Sequence, residues 1–172
     1  LSQVRADDRS TQFNAVWTLP LGASTTATLS IDRVRSSASG ANHDERTVGI
    51  QRDLPFGEGF GYVVRASDQG PRQAQVNYQI RYGTYSAEIA QAQGQTGERV
   101  AASGGVGFIE GNVFLSRTIT DSFGLVRLPG YPDVRVYSEN QVIGRTDAAG
   151  ELIVPRLLPY QANTLRIEQA DL

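Results

Sequence analysis

The residues with the clearest potential for catalysis surround His43, the only histidine of the chain. Asp44 and Glu45 follow it directly, and three serines stand in the preceding segment 36–39, so a nucleophile, a base and an acid occur close together. A Ser–His–acid site works only when these groups are held in a fixed geometry, which a loop rich in Ser and Gly does not suggest. We therefore expect His43 to lie in an exposed loop, and we predict no catalytic residue and no enzymatic activity.

Other residue types point away from cofactor chemistry in the same way. The chain has no Cys, which removes thiolate nucleophiles, thiolate metal ligands and disulfides together. The pair Asp7–Asp8 is a weak indication of a cation site, and an exposed acidic pair is its usual explanation. The glycine-rich segments 57–61 and 104–107 open no helix, and the chain has no Lys to reach a phosphate, so neither predicts a phosphate loop. We predict no cofactor, no metal and no small-molecule substrate.

The charge pattern also excludes a class of partner. The chain carries 16 basic and 18 acidic residues, a net charge of −2, and its basic residues are all arginines scattered along the sequence. Sequence-independent binding to nucleic acid needs a basic footprint, so we expect no nucleic-acid partner. No apolar run reaches the ~18 residues that a membrane helix needs. The chain contains no Met, and we therefore expect it to be a piece of a longer protein.

Alternating polar and apolar residues dominate the first 109 positions. The fifth segment is the clearest, because Ala74, Val76, Tyr78 and Ile80 alternate with polar residues throughout. A period of two predicts strands with one apolar and one polar face, and no window has a helical period. The predicted strands cover residues 11–20, 24–35, 45–54, 60–66, 73–81, 85–89 and 98–109.

Two architectures share this alternation. A soluble β-sandwich turns its apolar face inward, whereas a transmembrane β-barrel turns it outward to lipid. Strands of about nine to twelve residues favour the barrel, because sandwich strands are usually nearer five or six. The polar face is rich in Gln, Asn, Ser and Thr, which suits a hydrated channel, and aromatic residues stand near strand ends. We predict an all-β fold that begins with about seven antiparallel barrel strands. A small porin-like barrel and a soluble binding or adhesin module stay open as alternatives.

The segment from Val134 to Asn163 has a different character. It reads as three short strands joined by two turns, of which Asp147–Gly150 is the better defined, since Asp bonds its own backbone and Gly relieves the exit. Pro155 and Pro159 lack an amide hydrogen, so we expect them to end strand pairing. These features predict part of a small β-sandwich.

Loop lengths predict an orientation for the strands. Membrane barrels of this type have short periplasmic turns and longer outer loops. If the long segment 36–44 lies outside, then the turns at 20–22, 55–59 and Gly83 lie on the periplasmic side. The seventh strand then also delivers the chain to the periplasm, which predicts a periplasmic C-terminal module.

A long ordered pattern in the C-terminal part resembles one protein family. It comprises DSFGLV at 121–126, GYPDV at 130–134, most of 136–147, and then Gly150, Val154-Pro155, PYQ at 159–161, Asn163 and Ile167. Two earlier segments, LPFGEGFGY at 54–62 and YGTYSA at 82–87, resemble late barrel strands of the same family. The chain resembles the fimbrial outer-membrane ushers, the pore proteins of the chaperone–usher pathway. The segment VFLSRTI at 113–119 is similar to their archaic branch.

The resemblance implies a domain organisation and a function. Residues 1–111 would be the C-terminal strands of a large translocation barrel, and residues 112–172 the first part of a C-terminal periplasmic β-sandwich domain. An usher assembles and exports pilus subunits across the bacterial outer membrane. The implied partners are periplasmic chaperone–pilus subunit complexes and outer-membrane lipid. No particular partner-contact residue follows from the resemblance.

Overall fold

The computed structural model describes residues 10–36 and 42–172 of the chain. They form two compact units. The first comprises the described residues up to Asp53 together with Tyr62–Gln75 and Glu88–Glu98, and the second comprises Leu54–Gly61, Val76–Ala87 and Arg99–Leu172. None of the described residues belongs to a helix long and apolar enough to cross a membrane.

Seven long strands form one sheet in which each strand pairs with its neighbours in sequence. Each strand has between 9 and 12 residues, as the alternation predicted. Within the described residues, β1 and β7 are the two edge strands of this sheet. The strands are β1 Ser10–Pro20, β2 Thr25–Ser36, β3 Asn42–Arg52, β4 Gly59–Ser67, β5 Arg72–Ile80, β6 Gly83–Ala92 and β7 Gln95–Ser103.

The prediction that His43 lies in a loop is wrong. His43 belongs to β3 and stands opposite Val34 of β2 in an antiparallel register that runs from Thr25–Arg52 to Arg35–Asn42. The turn-rich composition of this segment concealed the strand, because backbone pairing with β2 extends further than the apolar alternation does. The pair Asp7–Asp8 lies outside the described residues.

The predicted seventh strand is two strands. β7 ends at Ser103, and β8 (Gly105–Ile109) pairs instead with β9 (Asn112–Ser116) in a separate two-stranded sheet. The break falls at two glycines that allow backbone segments to approach closely. A Cβ on Gly104 would lie 3.0 Å from the Tyr82 carbonyl oxygen, and one on Gly105 would lie 2.9 Å from the Arg117 carbonyl oxygen. The predicted domain boundary between residues 111 and 112 stays a prediction.

Three hairpins are closed by the same kind of two-residue turn. Both central residues have positive φ in Gln93–Gly94, Glu110–Gly111 and Glu139–Asn140. Such mirror-image turns follow the right-handed twist of the paired strands, and they favour Gly and Asn because these residues tolerate positive φ best. Each pair therefore carries Gly or Asn at its second position.

The C-terminal residues form two small sheets packed face to face. In one, β10 (Ser122–Arg127) pairs with β13 (Glu151–Leu157), and in the other β11 (Arg135–Ser138) lies between β12 (Gln141–Arg145) and β14 (Leu165–Ile167). A short 3-10 turn follows at Gln169–Asp171. The three strands predicted within 134–163 are thus confirmed, as is the all-β fold in which long antiparallel strands precede a small sandwich.

The sandwich core joins residues from both small sheets. Leu152 and Val154 of β13 face Val136 of β11 and Ile143 of β12, and all four are buried. Gly144 allows this close packing, because a Cβ there would lie 2.9 Å from a methyl group of Leu152. The partly buried residues around this core are Val126, Leu157, Leu165 and Ile167.

The predictions for the Asp147–Gly150 turn and for strand pairing at Pro155 had different outcomes. The turn at Asp147–Gly150 is confirmed: the Asp147 carboxylate accepts hydrogen bonds from the amides of Ala149 and Glu151, both at 2.9 Å, and Gly150 has a φ of +77°. The prediction that Pro155 ends strand pairing is wrong, since β13 continues to Leu157. Pro155 lies where the pairing of β13 with β10 is irregular, and such a bulge is one of the few places where a strand accepts proline.

Candidate functional site

The first unit presents a continuous apolar face across four strands. The backbone register aligns one row through Trp17, Leu29, Val48 and Ala66. Because directly opposed residues of paired strands point to the same side of a sheet, these side chains share one face. A second row on that face comprises Leu19, Ala27, Ile50 and Val64.

This apolar face is exposed. Trp17 and Val48 retain 54% of their accessible surface, and Leu29 retains 40%. An exposed apolar surface that crosses four strands is unusual for a soluble protein and marks contact with another apolar phase or partner. The face is therefore suited to the hydrocarbon of a bilayer.

Charged groups bound the apolar face at both ends of β3. At one end Arg33 and Asp44 form an ion pair at 2.9 Å, next to Arg46. At the other end Arg52 stands opposite Tyr62. Arg46 and Arg52 are six residues apart, or roughly 20 Å along a strand, which approaches the ~25 Å apolar band of a membrane barrel.

The opposite face of the same sheet is mainly polar, and its groups bond to one another. Asn14 donates a hydrogen bond to Asp32 on the neighbouring strand, and Ser67 donates one to Glu45. The Ser67 hydroxyl in turn accepts the amide of Gly70 at 2.9 Å. A shallow cleft of about 270 Å³ on this unit is lined by Val16, Thr28, Ser30, Thr47, Gly49, Ile50, Gln51 and Arg65.

In the second unit, Gln79 of β5 holds the β3–β4 turn, which comprises residues 54–58. Its side-chain amide donates to the carbonyl oxygens of Pro55 at 3.1 Å and Phe56 at 3.2 Å, and also to that of Gly57. Its own carbonyl oxygen accepts the hydroxyl of Thr84 at 3.3 Å. Gln79 is only 8% exposed. These hydrogen bonds satisfy its buried polar groups, whose burial without partners would be costly.

The same turn contacts β12 of the C-terminal sandwich. A Cβ on Gly57 would lie 2.8 Å from the carbonyl oxygen of Val142, so only glycine fits at this point. Arg117, which follows β9, donates one hydrogen bond to the Phe56 carbonyl oxygen and another, at 2.9 Å, to that of Ile143. Burial lowers the pKa of Arg117, and the neighbouring charge of Arg156 lowers it further, whereas Glu58 raises it.

These contacts surround a cleft of about 440 Å³ within the second unit. Its walls combine apolar side chains with hydroxyl, amide and guanidinium groups, so the cleft offers both apolar surface and hydrogen-bonding groups. The lining residues are Leu54, Pro55, Phe56, Gln79, Thr84, Ser103, Arg117, Thr118, Ser138, Glu139, Gln141, Ile143, Val154, Pro155 and Arg156.

An ion-pair cluster closes the C-terminal end of the sandwich. The Arg135 guanidinium bonds both carboxylate oxygens of Asp171, at 2.8 and 2.9 Å, and the Arg135 amide donates to the same carboxylate at 3.0 Å. These bonds lower the pKa of Asp171 to about 2. Tyr137 donates to Glu168 at 2.9 Å, which raises the pKa of the Tyr137 hydroxyl.

Several residues that the sequence singled out have structural contacts in the described part of the chain. Gly57, Gly104 and Gly105 allow close backbone contacts, Gly107 lies against the ring of Phe123, and Asp147 and Gly150 form a turn. In the described ranges, no group of three or more His, Asp or Glu could hold a metal ion. Arg117 and Gln79 were missed, because nothing in the local sequence distinguishes them from the other scattered polar residues.

The family model for outer membrane usher proteins matches residues 2–172. The chain belongs to the outer membrane usher family. A similar usher is the outer membrane usher protein YraJ of Escherichia coli (strain K12), which is 29% identical over 96 residues. This match covers 56% of the present chain and 11% of YraJ, so the chain spans a small part of the length of that usher.

Proposed function

We propose that this chain forms part of the wall of an outer-membrane channel through which pilus subunits, delivered by periplasmic chaperones, are assembled and exported. One observation carries the proposal: the sheet has an exposed apolar face bounded by charge, and a polar face whose groups bond to one another. Membership of the usher family supports a channel for protein subunits rather than for small solutes.

The two faces have different tasks in this mechanism. The rows through Trp17 and Leu19 contact lipid hydrocarbon. This contact is favourable because it removes their apolar side chains from water. The polar face borders the channel, where paired groups such as Asn14–Asp32 and Ser67–Glu45 have already found hydrogen-bond partners within the wall. A folded subunit therefore meets a hydrated surface that offers few strong fixed bonds.

Assembly requires no bond-breaking chemistry from the chain. Subunits join when an extended segment of one completes the open sheet edge of another, so the exchange consists of β-strand addition. The role of the usher is to hold successive chaperone–subunit complexes near one another. This process needs neither a nucleophile nor a cofactor.

The C-terminal sandwich acts on the periplasmic side in this proposal. The periplasmic side of the β3–β4 turn stays a prediction, because the strands leave five residues between β2 and β3 and six between β3 and β4, so loop length does not distinguish the two ends. The contacts of Gly57 and Arg117 with β12 support a sandwich that lies at the same end of the wall as this turn. The sandwich would then offer a surface to chaperone–subunit complexes beneath the channel.

Deletion and complementation of the gene test the proposed function. We expect the deletion strain to lose surface fibres while its uptake of small solutes is unchanged, and the intact gene to restore the fibres. Normal fibres with reduced solute uptake would instead support a porin. Recovery of the intact protein in the soluble periplasm, rather than in heat-modifiable form in outer membranes, would support a soluble binding module.

A further inference from the structure

Two polar side chains from different parts of the chain donate hydrogen bonds to the β3–β4 turn. Gln79 extends from β5 and bonds the carbonyl oxygens of residues 55–57, whereas Arg117 bonds the carbonyl oxygen of Phe56 from the chain segment after β9. Arg117 also bonds Ile143 of β12. A single guanidinium therefore links the turn to the C-terminal sandwich.

The position of Arg117 is itself fixed by the backbone around it. The carbonyl oxygen of Arg117 accepts the hydroxyl of the buried Ser116 at 2.8 Å. Gly105 approaches the same oxygen so closely that a Cβ would lie 2.9 Å away. The planar guanidinium is well matched to two acceptors at once, since its several N–H groups point in fixed directions, unlike those of a lysine ammonium.

The Ile143 carbonyl oxygen needs such a partner, whereas that of Phe56 also accepts a hydrogen bond from Gln79. Ile143 falls in β12 where the pairing with β11 is irregular, between Val142 and Gly144. Bulged residues lose regular ladder bonds, and a partly buried carbonyl without a partner is costly. Withdrawal of Arg117 would leave the Ile143 carbonyl oxygen and the Phe56 carbonyl oxygen without this donor.

We propose that Arg117 is a positioning residue, which latches the C-terminal sandwich to the β3–β4 turn and thereby sets the width of the 440 Å³ cleft between them. With the latch closed, β12 is held against Gly57 and the cleft keeps one shape. With the latch open, the sandwich moves away from the turn, and the cleft widens. This inference rests on contacts within the second unit and does not require the proposed export function.

Distance measurements between two spin labels test the latch. The chain has no Cys, so Phe56→Cys and Gln141→Cys introduce unique label sites on the turn and on β12 once cysteines elsewhere in the intact protein are replaced. Both side chains are exposed, and the Phe56 carbonyl oxygen is a backbone atom that remains. Distances are recorded in the intact protein in lipid vesicles, without subunits, both with and without sub-denaturing urea.

Arg117→Gln should add a second, longer distance, because the loss of two charge-assisted bonds lowers the ratio of closed to open latch by about 100-fold. Arg117→Lys should give the same longer distance at lower occupancy. Arg156→Gln is the matched control, since it removes an equal charge from the same cleft, and it should keep the parent distribution. Circular dichroism confirms that each variant is folded.

Two results would overturn the latch. One is an Arg117→Gln distribution identical to that of the parent at every urea concentration below unfolding. The other is an equal broadening of the distance distribution in Arg156→Gln, because the charge of the cleft, and not the two hydrogen bonds of Arg117, would then set the distance. Fibre assays on the same variants are read separately, so a failure of the export proposal leaves these distances interpretable.

Discussion

Replacing one residue on the apolar face with arginine should destabilise the protein far more than the same change on the polar face. Leu29 is the best site, because its row neighbours Trp17 and Val48 are both exposed and apolar and no charged group lies beside it in that row. Ser30, the next residue, points to the opposite face, where it stands between Val16 and Thr47. The pair Leu29→Arg and Ser30→Arg therefore tests one charge on two faces.

The expected magnitude follows from the depth of the site. An arginine on the lipid face of a membrane barrel costs about 2–4 kcal/mol near the bilayer midplane and ~0–1 kcal/mol near the interfaces. Leu29 stands opposite Val48, which is two residues from Arg46 and four from Arg52, so we expect about 2–3 kcal/mol for Leu29→Arg, which is roughly a 30- to 150-fold fall in the folding equilibrium constant. For Ser30→Arg we expect less than about 1 kcal/mol.

Reversible urea unfolding of the intact protein in lipid vesicles gives both values. If Ser30→Arg costs as much as Leu29→Arg, or if Leu29→Arg has no effect, then the apolar face does not contact hydrocarbon.

Three further predictions concern the C-terminal sandwich, and pulse proteolysis in urea measures the folded fraction in the first two. Val136→Ala should lower the free energy of unfolding by about 2–3 kcal/mol, because Val136 has no exposed surface. Val142→Ala is the control, since its site is 40% exposed, and it should cost about 0.5 kcal/mol. Equal losses would contradict the assigned core. Gly150→Ala should cost more than Gly130→Ala, since both sites have positive φ but only a Cβ at residue 150 meets a backbone oxygen, that of Leu128. The reverse order would exclude this clash. The pKa of Asp171 is lowered from 3.8 to about 2, so its carboxylate stabilises the folded state at pH above 3.8, and this contribution should disappear as pH falls from 3.8 towards 2. The melting temperature of the parent should then fall more steeply over that range than that of Asp171→Asn, and parallel curves would show that the Arg135–Asp171 pair does not stabilise the fold.

Alternation in the sequence was enough to predict most of the long strands. In β1 and β5 the apolar residues recur at every second position, and the structure has strands at both places. The prediction of a single seventh strand failed, because the segment around Gly104 is rich in Gly and Ala, which carry little alternation. Only the close approach of Gly104 to Tyr82 reveals why the chain leaves the sheet there.

The role of Arg117 could not be predicted from the sequence. Its two acceptors, Phe56 and Ile143, are 61 and 26 residues away, and both bonds go to backbone oxygens that any residue type would supply. Pro155 was misjudged for a related reason, since its tolerance within β13 depends on an irregular pairing with β10. A hydrogen bond to a backbone oxygen leaves no mark on the residue type at the accepting position.

The most direct test of a membrane-spanning wall is a spin-label scan of residues 28–31 in the intact protein in lipid bilayers. Labels at Leu29 and Ile31 should be accessible to oxygen, which concentrates in hydrocarbon, and labels at Thr28 and Ser30 should be accessible to a water-soluble nickel complex. This alternation follows from the two faces of β2 that its pairing with β1 and β3 defines. Uniform access to the nickel complex at all four positions, or alternation in the opposite phase, would contradict a wall with its apolar face in the bilayer.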